Sequence, residues 1–227
     1  MLQVIELNKN YVIVKKEYGI PTQSDVSGDK DLLTMTSEYL KSIGEDSRLW
    51  LIHRLDRVVS GLVIFARNAR YAALLSAHVS SKAMSKEYLA VVRGKTEDGT
   101  LTDLIYKDAR AGKAFIVDRM RAGVKEARLD YKTISYNEEK NVSLVSVRLD
   151  TGRFHQIRCQ MSNIGHSILG DGKYGGGDNS VRGIALVAYH LSLCEPECKF
   201  NAYTLPNTDE YPWSLFDKVN FEELCND

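Results

Sequence analysis

Three short segments carry residues whose types and spacing suit chemistry. The first is Ile52-His53-Arg54-Leu55-Asp56-Arg57-Val58-Val59-Ser60-Gly61, which runs straight into an apolar stretch. Asp56 stands between Arg54 and Arg57. An opposite charge within ~4–6 Å lowers a carboxyl pKa by about 1–3 units and keeps it ionised. An ionised aspartate beside a rigid strand suits a nucleophile or a base. Taken alone, this segment reads better as a surface loop with solvated ion pairs, which stabilise little. The second segment is Leu149-Asp150-Thr151-Gly152-Arg153-Phe154-His155-Gln156-Ile157-Arg158. Gly152 suits a tight strand-to-helix turn. In the helix that follows, Phe154 and Arg158 share one face, while Ile157 and Met161 pair on the core side. That places Arg158 near the edge of the core, where a bidentate carboxylate partner such as Asp56 makes sense, although an exposed helix arginine is the commoner case. The third segment is Lys86-Glu87-Tyr88-Leu89-Ala90-Val91-Val92-Arg93-Gly94. Strand alternation puts Tyr88 on a face with Lys86, Ala90 and Val92. A strand tyrosine is usually a packing residue; here it is also a candidate stacking platform for a base.

Regular elements must hold these segments. Val4–Leu7 and Tyr11–Val14 read as two strands about a polar turn. Apolar spacing from Leu32 to Ile43 predicts a helix closed by Gly44. Gly61–Ala66 is a short buried strand. Asn68 is placed to cap a helix from Ala69 to about Val79 whose apolar face is Ala72, Leu75, Ala77 and Val79. Strands are predicted over Glu87–Val92, Phe115–Val117, Glu126–Ser135, Val142–Leu149 and Ile184–Leu193, with a helix over Phe154–Ile164 ended by Gly165. Three of the four prolines follow Cys194, and that segment reads as a looser C-terminal wrap. Strands outnumber helices and do not alternate regularly with them, which points to an α+β fold.

Composition excludes several classes. The chain has 227 residues, 44% hydrophobic and 26% charged, values of an ordinary globular domain rather than a disordered or fibrous one. No run approaches the ~18 apolar residues that span a bilayer. The N-terminus shows no basic region followed by an apolar core, so a cytoplasmic location is expected. Four cysteines, Cys159, Cys194, Cys198 and Cys225, are too few for a disulfide scaffold and read as free thiols. Lys+Arg and Asp+Glu both number 30. The zero sum argues against a nucleic-acid partner only if the charge is evenly spread, and it is not. Residues 1–194 hold 28 basic against 22 acidic residues, whereas from Glu195 onward two stand against eight. Every candidate motif lies in the basic part, and the acidic tail is expected to lie away from the site.

In this order, the three segments resemble the RluA-type family of RNA pseudouridine synthases. The resemblance rests on His53-Arg54-Leu55-Asp56 with Ser60-Gly61, on Lys86-x-Tyr88 with Ala90-Val91 and Gly94, and on Thr151-Gly152-Arg153-x-His155-Gln156-Ile157-Arg158. It continues through Ile164-Gly165-His166-x-Ile168-x-Gly170-Asp171 and Tyr174-Gly175. Several motifs in the right order are strong where one would be weak. The resemblance implies an α+β fold of the pseudouridine synthase type, a mixed, mostly antiparallel sheet with flanking helices and a central catalytic cleft. It implies isomerisation of uridine to pseudouridine in structured RNA, ribosomal or transfer, with no cofactor and no metal. Asp56 matches the catalytic aspartate, Arg158 the arginine that pairs with it, and Tyr88 the tyrosine that stacks on the uracil. Arg54, His53, Arg153, His155 and Gln156 of the same motifs are expected to contact substrate. Three places depart from the family pattern: Val59, Phe154 and Lys16-Glu17-Tyr18. One catalytic domain over residues 1–227, motifs over 10–195, no separate N-terminal RNA-binding module, and a monomer are expected.

Two other readings stand beside it. His53 and Asp56, with His155 or His166, suggest a metal-dependent hydrolase of nucleic acids or nucleotides, though no two histidines stand at the i, i+4 spacing of helical zinc ligands. An RNA-binding protein without catalysis would have no need of Asp56 near a phosphate chain. Between Lys107 and Lys132, eight basic residues stand against four acidic ones. Charge runs are usually solvated faces, but this one lies between two motifs and turns at Arg110-Ala111-Gly112-Lys113, so Arg119 and Arg121 are candidate contacts to the RNA backbone.

Overall fold

The computed structural model describes residues 2–225; Met1, Asn226 and Asp227, the last two ending the acidic tail, lie outside. In chain order the elements are β1 (Gln3–Leu7), β2 (Tyr11–Lys16), α1 (Leu32–Ser42), β3 (Trp50–Leu51), β4 (Ser60–Ala66), α2 (Ala69–Ser80), β5 (Ser85–Arg93), β6 (Gly99–Asp108), β7 (Lys113–Val117), β8 (Val124–Asn137), β9 (Val142–Leu149), α3 (Gln156–Asn163), β10 (Leu186–Glu195) and β11 (Cys198–Tyr203). Among the described residues, mostly antiparallel strands and three α-helices bear out the α+β class. The chain forms two compact units, Met1–Ser85 with Ala188–Thr204, and Lys86–Val187 with Leu205–Asp227.

In the first unit the strand order is β1-β2-β4-β10, with β3 on β4 and β11 on β10. Period-2 alternation gives one face Tyr11 and Ile13, Leu62, Ile64 and Ala66, Leu191 and Leu193, and Phe200 and Ala202, all buried in one cluster. Helix α2 covers this cluster through Leu75, with Tyr71, Ala72, Leu74 and Val79 packed at its margin. Ala77, expected on that face, is exposed; Tyr71 and Leu74 fill the stripe instead, because larger side chains reach the sheet from its flanks. The Asn68 carboxamide caps α2 by accepting the Tyr71 N–H at 2.9 Å, as expected. Gly61 takes φ 120° beside β10, where a Cβ would stand 2.3 Å from the Ala188 carbonyl oxygen. Only glycine fits there.

In the second unit the order is β5-β9-β8-β6-β7, and each neighbouring pair is antiparallel. Helix α3 packs on β6 and β7, burying Cys159 with Ile105, Ala114, Ala127 and Tyr174. Within β9 both faces are buried, Ser143, Val145 and Val147 on one and Val142 and Leu144 on the other. The acidic tail closes this unit with buried Trp213, Phe216 and Phe221, and the Asn137 side chain donates to the Leu215 carbonyl at 3.1 Å.

Three expectations are corrected. Helix α3 starts at Gln156 rather than Phe154, because His155 takes a left-handed φ of 53° and no helix continues through that conformation. Phe154 and Arg158 are therefore not helix-face neighbours. Strand β6 is absent from the elements the sequence predicts: Gly99, two threonines and Asp103 blur its pattern, and Asp103 is matched only in three dimensions, by Gln160 Nε2 at 2.6 Å. Residues 198–203 are not a loose wrap; they pair with β10 from His190↔Tyr203 to Glu195↔Cys198.

Candidate active site

In the first unit the loop between β3 and β4 carries His53, Arg54 and Asp56. It is fixed on both sides of Asp56. Before it, Thr22 Oγ1 accepts the Leu55 N–H at 3.2 Å and donates to the Leu55 carbonyl at 2.9 Å. After it, the Arg57 carbonyl accepts the Gly19 N–H at 2.9 Å and Lys16 Nζ at 3.1 Å. The Val59 N–H closes the turn on the Asp56 carbonyl at 3.0 Å. Lys16, fully buried, also donates to the Glu17 and Ile20 carbonyls at 3.1 and 2.8 Å. Burial pulls its pKa down to about 7, while the nearby Asp56 carboxylate pulls the other way.

The cations that flank Asp56 in sequence do not both stay with it. Arg57 turns away to Asp25, Asp29 and Ser27, while the buried Lys16 ammonium lies within electrostatic reach of the Asp56 carboxylate. Arg54 is exposed. His53 packs inward, its Nε2 accepting the Ile64 N–H of β4 at 3.4 Å.

In the second unit Tyr88 is buried in β5 beside Ala90 and Val92, opposite Val147 of β9. Lys86, on the same face, has its pKa lowered by burial, and its Nζ would lie 3.5 Å from a Cβ at Gly152. The turn 151–153 is shaped from inside by Gln156. Its buried carboxamide oxygen accepts Thr151 Oγ1 at 2.8 Å and the Arg153 N–H at 3.0 Å, and its nitrogen donates to the Arg128 carbonyl at 3.0 Å. Arg153 Nε donates to the Glu126 carbonyl at 2.8 Å.

Arg158 lies in the first turn of α3, 5% exposed. Its Nε and Nη2 donate to the two Asp171 oxygens at 2.6 and 2.9 Å, the bidentate geometry that planar guanidinium favours. Tyr174, two positions after Gly172, faces the same guanidinium, with its ring centroid 5.2 Å from Arg158 Cζ. His155 stacks on Phe154 with centroids 3.8 Å apart, and its Nδ1 lies 2.9 Å from the Tyr174 hydroxyl. The basic stretch 107–132 is spread from the end of β6 through the β6–β7 turn, β7, the β7–β8 connection and β8. Arg119 is exposed there, and the Arg121 guanidinium lies 5.3 Å from the Tyr106 ring centroid. Among the described residues no group of three His, Cys, Asp or Glu side chains is placed to hold a metal ion.

A model described as "RNA pseudouridylate synthase" matches residues 10–163. The chain belongs to this family. The synthase match takes in all three chemical segments and stops short of Asp171 and Tyr174. The chain is 30% identical over 198 residues to the uncharacterized RNA pseudouridine synthase YhcT of Bacillus subtilis, covering 86% of this chain and 65% of that one. It is 31% identical over 212 residues to a ribosomal large subunit pseudouridine synthase D of Zymomonas mobilis, again covering 86% and 65%. The chain thus spans just under two thirds of the length of these relatives. Two solved human structures share the fold. RNA Pseudouridylate Synthase Domain Containing 4 has a TM-score of 0.76 at 22% identity, over 94% of this chain and 90% of that one. Domain Containing 1 has 0.78 at 21%, over 100% and 94%.

Sequence reasoning misses Lys16, Asp171 and Tyr174 as residues that shape the site. Asp171 and Tyr174 are visible as part of a motif, but nothing in the spacing says that they hold Arg158. Lys16 stands out in the sequence only as a departure from the family pattern.

Proposed function

We propose that this synthase isomerises uridine to pseudouridine in RNA, with Asp56 as the reacting carboxylate. The observation that carries it is the family match across His53–Asp56, Lys86–Tyr88 and Thr151–Arg158. The rigid mounting of Asp56 between Thr22 and Lys16 supports the reading, because a reacting group gains most when its geometry is fixed before substrate arrives. In the reaction the bond from ribose carbon 1 to uracil N1 breaks and a bond from that carbon to uracil carbon 5 forms. The proton on carbon 5 leaves to solvent and N1 takes one up. Asp56 does this by adding to the ribose, by adding to the uracil, or by removing the proton on ribose carbon 2; all three need a carboxylate.

Arg158 is assigned as the cation that favours that carboxylate, and Tyr88 as the aromatic face for the detached uracil. Base–aromatic stacking contributes about 1–3 kcal/mol, which offsets part of the cost of unstacking the target. No cofactor is assigned. The RNA is a structured one; the relatives named for the large ribosomal subunit favour ribosomal over transfer RNA. The test is tritium release from RNA labelled at uracil carbon 5. Wild type releases label, and Asp56→Asn loses at least about 100-fold in rate, the scale of removing a group that takes part in the chemical step. Release by the variant at the wild-type rate would overturn the assignment of Asp56. No release from any cellular RNA by wild type would overturn the activity.

A further inference from the structure

The turn from Asp171 to Tyr174 holds Arg158 on two sides and also grips the tip of the β6–β7 hairpin. Asp171 takes the guanidinium edge at 2.6 and 2.9 Å. The Tyr174 ring packs against the guanidinium, with 5.2 Å from Arg158 Cζ to the ring centroid. On the hairpin side, the Ala114 N–H donates to the Tyr174 hydroxyl at 2.7 Å, and Lys173 Nζ donates to the Gly112 carbonyl at 2.8 Å. Lys113 Nζ lies 4.9 Å from the centroid of the Tyr174 ring. The same hydroxyl is 2.9 Å from Nδ1 of His155, the left-handed residue from which α3 starts, three positions before Arg158. Such a conformation costs a non-glycine residue free energy and persists only where its surroundings impose it.

Cation–ring contacts gain strength when desolvated, and Tyr174 is buried. A buried hydroxyl with two partners is a fixed point, because losing either leaves a polar group unsatisfied. We infer that Tyr174 is a positioning residue for Arg158: its anchored hydroxyl and its ring set the place of the guanidinium, and they tie that place to the seating of the basic hairpin. The importance of Arg158 to the reaction rests on the function proposed above; its position can be read without it.

The experiment compares wild type with Tyr174→Phe, which deletes only the hydroxyl, and Tyr174→Leu, which also deletes the ring. The first readout is the Arg158 Nε–H signal in nitrogen-15 NMR, identified by its loss in Arg158→Lys. The second is kcat and KM for tritium release from RNA. Tyr174→Phe is expected to shift the Nε–H signal and lower kcat about tenfold, and Tyr174→Leu about 100-fold, with KM changed by less than about threefold, as for a slightly misplaced group. A folded Tyr174→Phe protein whose Nε–H signal stays at the wild-type position overturns the inference. So does a loss that appears in KM alone. If wild type releases no tritium from any RNA, the proposed activity fails, and the Nε–H signal alone decides whether Tyr174 positions Arg158.

Discussion

Arg158 and Asp171 form a buried, bidentate ion pair, with Nε–Oδ2 at 2.6 Å and Nη2–Oδ1 at 2.9 Å and side chains only 6% and 1% exposed. Asp171 Oδ1 also accepts the Lys173 N–H at 3.2 Å. The carboxylate thus fixes the arginine and shapes the turn that carries Tyr174. Removing one partner from such a pair is far costlier than never having built it, because the remaining charge stays out of water.

Asp171→Asn is therefore expected to destabilise the protein by about 3–5 kcal/mol, the usual cost of breaking a buried pair. Urea unfolding followed by circular dichroism measures it. A change below about 1 kcal/mol would show that Asp171 contributes no more than an exposed ion pair does.

Lys16 makes stability depend on alkaline pH. Its pKa falls from 10.5 to about 7 on folding, chiefly by burial. Between those values the unfolded chain holds a proton that the folded chain has released, so unfolding takes up a proton and stability rises with pH. Below about 7 both states are charged and the full cost of burying the ammonium is felt. Urea midpoints at pH 7 and pH 9.5 should rise more for wild type than for Lys16→Met. The comparison between the two isolates Lys16 from the buried thiols Cys159 and Cys198, whose pKa values are pushed up to about 11 by burial. Equal slopes in the two proteins would refute the assignment.

The exposed Arg119 and Arg121 should act through phosphates. Reversing both to Glu is expected to weaken RNA binding and to flatten the plot of log affinity against log salt by about 1.4, at ~0.7 for each single-strand phosphate left without its arginine. Fluorescence anisotropy with a labelled RNA, at several salt concentrations, gives the slope. An unchanged slope would mean that these arginines lie on a solvated face.

Much of this protein is legible in its residues. Alternation names the core strands, because a strand with a buried face must repeat every second residue. Asn68 names the start of α2, because its side chain replaces a missing backbone partner locally. The three chemical segments can be recognised because a reaction demands particular side chains in a particular order. The acidic bias of the chain end is likewise a matter of counting.

Other features depend on interactions between residues far apart in the chain, which local pattern does not encode. The sequence places Arg158 at the edge of the core, yet that Asp171 grips it follows only from how the turn after α3 packs. Sequence proximity makes Arg57 a partner for Asp56; folding sends it to Asp25 and Asp29 and buries Lys16 within electrostatic reach of Asp56. Gln156 reads in sequence as a substrate contact, and the fold uses all the hydrogen bonds described for it to shape the 151–153 turn. The amino-acid order determined which groups are available for chemistry. The tertiary structure decided which of them are held still, because burial makes an unmatched polar group costly and so selects its partner.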